Sequence, residues 1–240
     1  MSDRRFRAVT IFGVIVLAVV LFLVSPFFSV QEVVIMGYNR VSRADILARL
    51  DVDSSTNLLM LNTTAARRRV LENLYIGEVT FERDWPGRLY VFVQERRLTA
   101  YVEHMPGSFL YLDDTGRVLD VRSYFEEPLP VLVGLDFTRF RLGEVLEVPD
   151  DVSFAAVVQY AQLLNLHGLI HQVSHMNVAD PDNIRIMIGH KEFNVGDIMG
   201  ADVKIRTVVA ILEEMPNPEL MRGFATIRHN ATEHFFEILQ

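Results

Sequence analysis

The sequence has 240 residues, half of them apolar, with a formal net charge of −8 and no cysteine. The absence of cysteine excludes disulfides and cysteine-ligated zinc sites. The acidic balance argues against nucleic acid or anionic lipid as the main ligand, because both attract clusters of lysine and arginine. The length suffices for one large domain or two small ones.

The N-terminal segment predicts a membrane anchor. Residues 8–28 contain no charged side chain, and a helix of about 20 apolar residues matches a hydrocarbon core roughly 30 Å thick. Arg4, Arg5 and Arg7 precede this run, so residues 1–7 are expected in the cytoplasm and the rest of the chain outside it. A cleaved signal peptide and a buried core helix are the alternatives, but the run is long for both and no small-x-small cleavage site follows it.

The first exported segment predicts a small α+β unit with the order strand-helix-helix-strand-strand. Ser42 precedes Asp45 by three residues, a capping-box variant in which the hydroxyl and the carboxylate each accept a backbone N–H at a helix start. The three arginines at residues 67–69 are assigned to a solvated helix face. The pattern predicts strands at residues 30–35, 79–81 and 89–93, helices after Ser42 and after residues 62–64, and a hairpin turn at residues 84–87.

Three motifs in this region are typical of one protein family. They are VxxVxIxGxxxVSRxDI from Val30, NLLxLN from Asn57 and FERDWPGRLYVFVQERR from Phe81. With these motifs, residues 28–102 resemble the POTRA domain of the FtsQ/DivIB family of cell division proteins, whose single anchor also has an inside N-terminus. The resemblance implies a POTRA domain at residues 29–97 and the family's β-domain at residues 98–240.

The second exported segment predicts a mixed sheet with two helices, which makes the fold class of the whole exported part α+β. The phrases LYLDDTGRVLDV and PLPVLVG resemble the start of the family's β-domain. Asp113 and Asp114 could form a metal or acid/base pair, but aspartates in turns commonly bond their own backbone, and the turn is the preferred interpretation. The later elements are predicted as a helix from Asp150 or Ser153 to about His167, strands at residues 173–178, 184–188 and 193–195, a helix at residues 201–215, and strands at residues 224–228 and 234–239.

Histidines are the candidate residues for an enzyme active site in this sequence. His167, His171 and His175 recur at every fourth residue and would share one face of a continuous helix as metal ligands. Gly168 interrupts that helix, and the sequence has no nucleophile elbow, P-loop, dinucleotide fingerprint or zincin motif. It therefore predicts a protein that is not an enzyme and uses no cofactor. Two alternatives stay open: a membrane-tethered metal-dependent hydrolase that uses the three histidines, and a POTRA-bearing component of membrane transport or assembly, which would carry tandem POTRA units or a barrel.

The resemblance also implies a function in cell division. Proteins of the FtsQ/DivIB family are scaffold subunits of the divisome at the division septum. They bind the small coiled-coil proteins FtsB (DivIC) and FtsL and help to control septal peptidoglycan synthesis. In that family the partner docks on the last strand of the β-domain and on the helix before it. An exposed sheet edge suits this role, because a partner can add a strand to it.

The matching positions in this chain are near its C-terminus. By position, residues 226–229 correspond to a run that is often Asp-Leu-Arg-Tyr-like in the family; Ile227 and Arg228 fit this run, whereas Thr226 and His229 depart from it. We expect residues 224–229 to offer an open edge, with Phe235 and Phe236 either packing beside the partner or closing the sheet. No nucleic acid or small-molecule substrate is expected. The candidate partner-binding residues are Phe224, Thr226, Ile227, Arg228, His229, Phe235 and Phe236.

Overall fold

The computed structural model describes residues 2–149, 151–214, 223–227 and 236–239. The chain forms two compact units, which meet in sequence between Arg96 and Arg97. Each unit combines helices with a sheet, and the predicted α+β class is confirmed. The helices are α1 (Ser2–Val24), α2 (Arg43–Leu50), α3 (Thr63–Val70), α4 (Asp151–Leu166) and α5 (Ala201–Glu214). The strands are β1 (Glu32–Met36), β2 (Ile76–Asp84), β3 (Arg88–Glu95), β4 (Leu98–Met105), β5 (Ser108–Asp113), β6 (Val118–Arg122), β7 (Val131–Val133), β8 (Val173–Asn177), β9 (Ile184–Ile188), β10 (Lys191–Gly196), β11 (Gly223–Ile227) and β12 (Phe236–Leu239).

Helix α1 begins at Ser2, before the apolar run, and ends inside it. Ser25 has an extended backbone, with ψ at 158°, because a proline disfavours helical geometry in the residue before it. A short 3₁₀ turn, Pro26–Phe28, follows. The Ser25 hydroxyl donates to the Phe22 carbonyl oxygen at 2.6 Å, and the Asn57 side-chain amide donates to the Leu23 carbonyl oxygen at 2.8 Å. Two polar side chains therefore satisfy carbonyl groups that the end of the helix leaves free.

The first unit has a three-stranded sheet in the order β1-β3-β2. β1 runs parallel to β3, and β2 forms an antiparallel hairpin with β3, as the strand-helix-helix-strand-strand order requires. The alternation predicted along β2 and β3 is present, since Val79, Leu89, Val91 and Val93 are buried. The fully buried residues that α2, α3 and the loop between them add to this core are Ile46, Leu50, Leu58, Ala66 and Val70.

Side-chain caps hold the start of α2. The Ser42 hydroxyl accepts the Asp45 N–H at 3.1 Å, as the capping motif predicts. The prediction that the Asp45 carboxylate accepts a backbone N–H is wrong. This carboxylate instead accepts from Arg49 Nε at 3.0 Å and from Asn73 Nδ2 at 2.8 Å. Burial raises the pKa of Asp45, but the hydrogen bonds from Asn73 and Arg49 outweigh this effect and leave the pKa below its usual value.

One of the three arginines assigned to a solvated helix face has a structural partner. Arg67 and Arg68 are exposed, as predicted. Arg69 is half-buried; its guanidinium donates to the Arg49 and Leu50 carbonyl oxygens, at 3.0 and 2.5 Å. These are carbonyl groups at the C-terminal end of α2, which have no partner within the helix. Arg69 therefore joins α3 to the end of α2, and the solvated-face interpretation is corrected for this residue.

The second unit has a nine-stranded sheet in the order β12-β11-β10-β9-β8-β7-β4-β5-β6. Most neighbouring strands are antiparallel, but β4–β7, β7–β8 and β10–β11 are parallel pairs. The predicted meander is present as β8-β9-β10. Helices α4 and α5 contact each other and the sheet. Strand β7, which the sequence pattern does not predict, joins the β4-β5-β6 hairpins to the meander.

The turn at residues 113–116 has the structure expected of a turn aspartate. Asp113 is buried, and one of its carboxylate oxygens accepts the backbone N–H groups of Thr115 and Arg117, each at 2.9 Å. Gly116 has a φ of +76°, and a Cβ at this position would lie 2.1 Å from the Phe154 ring. The carboxylate therefore orders the hairpin turn, as the preferred interpretation of the sequence predicts.

Candidate partner-binding edge

The C-terminal edge of the large sheet is built from a strand-helix-strand unit. β10 and β11 are parallel, with Lys191 paired to Gly223 and Asn194 paired to Thr226. Parallel neighbours need a crossover connection, and α5 lies in this connection. β12 then returns antiparallel to β11, with Phe224 paired to Leu239 and Ile227 paired to Phe236. The positions of β11 and β12 in the sheet therefore depend on the path of the chain through α5.

A buried lysine fixes the start of α5 to the end of β10. Lys204 is 3% exposed, and its ammonium group donates to the Asp197 carbonyl oxygen at 2.8 Å and to the Asp197 carboxylate at 2.7 Å. The fully buried Tyr160 of α4 donates its hydroxyl to the same Asp197 carbonyl oxygen at 2.5 Å and to the Val195 carbonyl oxygen at 3.1 Å. Both helices therefore bond the segment that leaves β10.

The structure brings together those predicted site residues that it describes. Phe224, Thr226 and Ile227 lie on β11, and Phe236 is the first residue of β12. Ile227 is buried, at 4% exposure. Arg228, His229 and Phe235 lie outside the described residues.

The open edge expected at residues 224–229 requires a correction. Within residues 223–227, β11 has a neighbour on both sides, β10 and β12, so it is an interior strand. In the described part of the chain, β12 pairs with β11 alone and forms this end of the sheet. The reason is that Phe236–Leu239, within the strand predicted at residues 234–239, forms a backbone ladder with β11 and takes the outer position.

The opposite end of the sheet is partly covered. At β6, the Val118 N–H donates to the Glu144 carbonyl oxygen at 2.9 Å, and the Gly143 N–H donates to the Val118 carbonyl oxygen at 2.7 Å. A loop thus occupies the outer side of β6 at this residue. Covering an edge in this way protects it from pairing with another chain. Within the described residues, β12 is the edge that better suits strand addition.

Sequence reasoning missed the residues of β12 beyond Phe236 as an edge. Glu237, Ile238 and Leu239 continue a short alternating apolar pattern, which was enough to predict a strand but not its neighbours. It also missed Lys204, because the sequence of an amphipathic helix does not by itself distinguish a buried lysine from a solvated one. The only available signal was its place on the apolar side with Ile205 and Val208.

The three histidines do not form a metal site among the residues described, in which no group of three histidine, cysteine or acidic side chains could hold a metal ion. His171 Nδ1 lies 3.2 Å from the Pro128 carbonyl oxygen. His171 and His175 line one open groove of about 560 Å³, whose other lining residues include Pro128 and Leu129. His167 Nε2 instead lies 3.6 Å from Asp202 of α5. The interruption predicted at Gly168, where φ is +71°, is present.

The N-terminal helix has the length and composition of a membrane span. The segment Val9–Phe28 is long and apolar enough to cross a bilayer, and none of it is buried by the rest of the described chain. Residues such as Val9, Phe12 and Leu21 are more than 60% exposed. An exposed apolar helix of this length is unfavourable in water and favours the hydrocarbon core of a membrane.

Comparisons with known proteins match both the POTRA region and the longer chain. Residues 28–96 match the family described as POTRA domain, FtsQ-type. The cell division protein DivIB of Clostridium tetani is 21% identical over 188 residues, which are 78% of this chain and 71% of that protein. The cell division protein FtsQ of Syntrophotalea carbinolica is 27% identical over 71% of this chain and 63% of its own length. FtsQ of Rhizobium meliloti is 32% identical over 45% of this chain, but the match spans only 35% of that relative.

The fold and these matches first define a class: an N-terminal apolar helix, one POTRA domain of the FtsQ type and a second unit with a large mixed sheet. Within that class, residues 28–96 match the FtsQ-type POTRA domain, and the chain is similar over most of its length to cell division proteins named DivIB and FtsQ. The resemblance indicated by the sequence motifs is thereby confirmed. The relatives are named for cell division and not for an enzymatic activity, and the apolar helix suits attachment to a membrane.

Proposed function

We propose that this chain is a non-enzymatic, single-pass membrane scaffold of the bacterial divisome. It binds FtsB/DivIC-like and FtsL-like division proteins and thereby helps to regulate septal peptidoglycan synthesis. The observation that carries the proposal is the edge strand β12, which in the described part of the chain pairs on one side only. A strand from a partner can hydrogen-bond to such an edge and extend the sheet.

The proposed location follows from the N-terminal segment. The arginines at residues 4, 5 and 7 precede the apolar helix, and positive flanks stay on the cytoplasmic side. The POTRA domain and the larger unit then lie on the outer side of the cytoplasmic membrane. On this side of the membrane, the two units can contact the exported segments of other division proteins.

The proposed contact uses the last two strands and the helix before them. β11 and β12 form one ladder, and α5 is fastened through Lys204 to the end of β10. Phe224, Thr226, Ile227, Arg228, His229, Phe235 and Phe236 stay the proposed partner-binding residues, now with Glu237 and Ile238 of the outer strand. In this arrangement β11 supports the edge and β12 presents it.

Adjacent prolines on β12 test the proposal. Successive residues of a strand direct their N–H groups to opposite sides, and proline removes the N–H. Of Glu237→Pro and Ile238→Pro, one therefore weakens the ladder with β11, and the other removes a donor only from the outer side. Capture of the exported segment of an FtsB/DivIC-like protein from the same organism would be measured with the full chain in detergent. We expect one of the two variants to keep the thermal unfolding of the unmodified chain and yet to lose capture.

Removing residues 228–240 provides a second test, because this deletion takes away β12 and leaves the backbone of β11 in place. It should abolish capture while the circular dichroism of the remaining elements persists. Normal capture by both proline variants and by the truncated chain would refute binding at this edge. A stoichiometric metal ion in the purified chain would contradict the non-enzymatic part of the proposal.

A further inference from the structure

One end of the POTRA domain carries four large apolar side chains that are exposed. Phe27 is 53% exposed, Leu59 36%, Met60 64% and Trp85 48%. They come from three separate segments: the 3₁₀ turn after α1, the loop before α3, and the hairpin between β2 and β3. Exposed apolar residues that gather from separate segments mark a surface that contacts something other than water. We call these four residues the apolar rim.

The loop before α3 is fastened to the end of α1. The Asn57 side chain donates to the Leu23 carbonyl oxygen at 2.8 Å, and its own carbonyl oxygen accepts the Leu59 N–H at 2.9 Å. The Leu58 N–H donates to the Phe28 carbonyl oxygen at 2.7 Å. Leu59 and Met60 are therefore held beside the point at which the chain leaves the helix.

The hairpin that carries Trp85 is fastened to the same point from another side. The Gly87 carbonyl oxygen accepts the Gln31 N–H at 2.7 Å, and a Cβ on Gly87 would lie 2.7 Å from the Ser29 carbonyl oxygen. The Trp85 ring meets the Phe28 ring edge to face, with centroids 6.0 Å apart. Phe28 in turn contacts Phe22 of α1, at 5.3 Å between centroids. A continuous row of aromatic rings thus runs from the membrane-type helix to Trp85.

The charges around Trp85 indicate which kind of surface the rim contacts. Arg88 Nε lies 2.8 Å from the Glu32 carboxylate, and Arg88 Nη1 lies 3.3 Å from the Asp84 carboxylate. Arg83, on the other side of Trp85 in sequence, donates to the Leu61 carbonyl oxygen at 2.7 Å. Both basic residues that flank Trp85 are therefore engaged within the domain and are poorly placed to recognise a lipid phosphate. The loop that carries Leu59 and Met60 contains Asp51 and Asp53 and no basic residue. The rim thus suits apolar insertion and does not suit recognition of an acidic headgroup.

We propose that the apolar rim inserts into the interfacial layer of the bilayer that α1 crosses, so that the POTRA domain lies directly on the membrane surface. Tryptophan and other aromatic side chains prefer this layer, because an apolar ring and a polar group are both satisfied there. The rim is continuous with the end of α1, which places it at the depth where the hydrocarbon core ends. The inference rests on the proposed membrane crossing by α1.

Trp85 is the only tryptophan of the chain, so its fluorescence reports on the rim alone. The full chain would be reconstituted in phosphatidylcholine vesicles with and without bromine on the acyl chains near the interface. We expect strong quenching of Trp85 by the brominated lipid and quenching by aqueous iodide that is several-fold weaker than for a tryptophan in water. Full access to iodide without quenching by bromine would overturn the proposal and would leave the rim as a contact for a partner protein.

Three tryptophan transfers in a Trp85→Phe background complete the experiment. Met60→Trp tests a second segment of the rim and should also be quenched by the brominated lipid. Tyr38→Trp is the matched control, because Tyr38 is 39% exposed and follows the opposite end of β1; it should respond to iodide only. Leu17→Trp, in the middle of α1, tests the crossing itself and is measured with lipid brominated near the ends of the acyl chains. If Leu17→Trp escapes bromine, the membrane crossing and the rim both fail; if it is quenched and Trp85 and Met60→Trp are not, the rim alone fails.

Discussion

Tyr111 shows at the scale of one residue how burial controls a titrating group. Its side chain is fully buried on β5, its hydroxyl donates to the Tyr124 carbonyl oxygen, and its ring lies 4.7 Å from the Tyr101 ring between centroids. Burial, reinforced by the neighbouring Tyr101, raises the pKa of Tyr111 to about 12. The phenol therefore stays protonated in the folded chain at pH values at which an exposed tyrosine ionises.

This difference predicts an alkaline loss of stability. An unfolded tyrosine has a pKa of about 10, so between pH 10 and 12 the unfolded chain releases a proton that the folded chain keeps, and rising pH favours unfolding. Tyr111→Phe should remove roughly 2 kcal/mol of this pH-dependent loss, measured as the unfolding free energy of the larger unit against pH. Some slope should remain, because burial also raises the pKa of Tyr160.

Leu142→Ala provides the control for this measurement, because Leu142 is exposed in the same unit and carries no titrating group. This substitution should leave the slope as it is. An unchanged slope in Tyr111→Phe would show that the buried phenol does not set the alkaline limit.

At the scale of an element, α5 depends on a single buried cation. Lys204 and Asp197 join the first turns of the helix to the end of β10, and the carboxylate is 43% exposed whereas the ammonium is almost fully buried. Without this contact, the helical crossover that connects the parallel strands β10 and β11 would no longer be fixed to the end of β10. The ion pair between Lys204 and Asp197 thus stabilises the helix that leads to the edge proposed for the partner.

Lys204→Met keeps most of the side-chain volume but removes both charge-assisted hydrogen bonds, and it should cost about 1–3 kcal/mol of unfolding free energy. Lys191→Met is a matched variant. Lys191 is also buried, at 5% exposure, but its ammonium group faces the Phe193 ring at 5.9 Å, a contact worth only about 0.5–1 kcal/mol. Denaturant unfolding measures both. Equal losses in the two variants would contradict a special role for the Asp197 contact.

At the scale of the whole molecule, each of the two units has a buried core of its own. In the first, the core lies between its three-stranded sheet and the helices α2 and α3, and Leu58 is fully buried in it. In the second, Leu110 on β5 is equally buried. Because hydrophobic stabilisation follows from apolar surface removed from water in each core, the two cores are expected to unfold as separate cooperative units.

A matched pair of leucine truncations tests this expectation. Leu58→Ala and Leu110→Ala each create a cavity at a fully buried site and should each cost about 2–5 kcal/mol. Scanning calorimetry of the full chain should show that Leu58→Ala lowers the transition of the POTRA unit and that Leu110→Ala lowers that of the other. A common shift of both transitions by either variant would mean that the chain unfolds as one unit.

The sequence was sufficient for those features that local chemistry determines. Ser42 could be identified as a helix cap because its side chain bonds a backbone group three residues away, and Asn62 is the cap among the three candidates at residues 62–64. The strands of the meander followed from alternation along β8, β9 and β10. Strand β7, three residues long with parallel neighbours, could not be found, because so short an apolar run carries no period and its pairing depends on distant segments.

The last two strands of the candidate site were predictable from the sequence, but their order in the sheet was not. Phe224 and Ile227 lie on β11 and Phe236 lies on β12, as the predicted strands require. Which strand lies outermost depends on the order in the sheet, and this order is set by the crossover through α5 and not by any local signal. An interior strand and an edge strand of this length have the same pattern in sequence, so the open edge was assigned to β11 and not to β12.

Strand β7 has a mechanical consequence for the proposed function, in which the chain is held at a membrane and binds a partner at β12. A load applied at β12 passes from ladder to ladder across the sheet, and the ladder between β7 and β4 consists of only two residue pairs, Tyr101 with Val131 and Val102 with Leu132. The other ladders of this sheet have three or more. Under tension, the sheet would therefore part between β4 and β7 first, separating the β4-β5-β6 hairpins from strands β8 to β12.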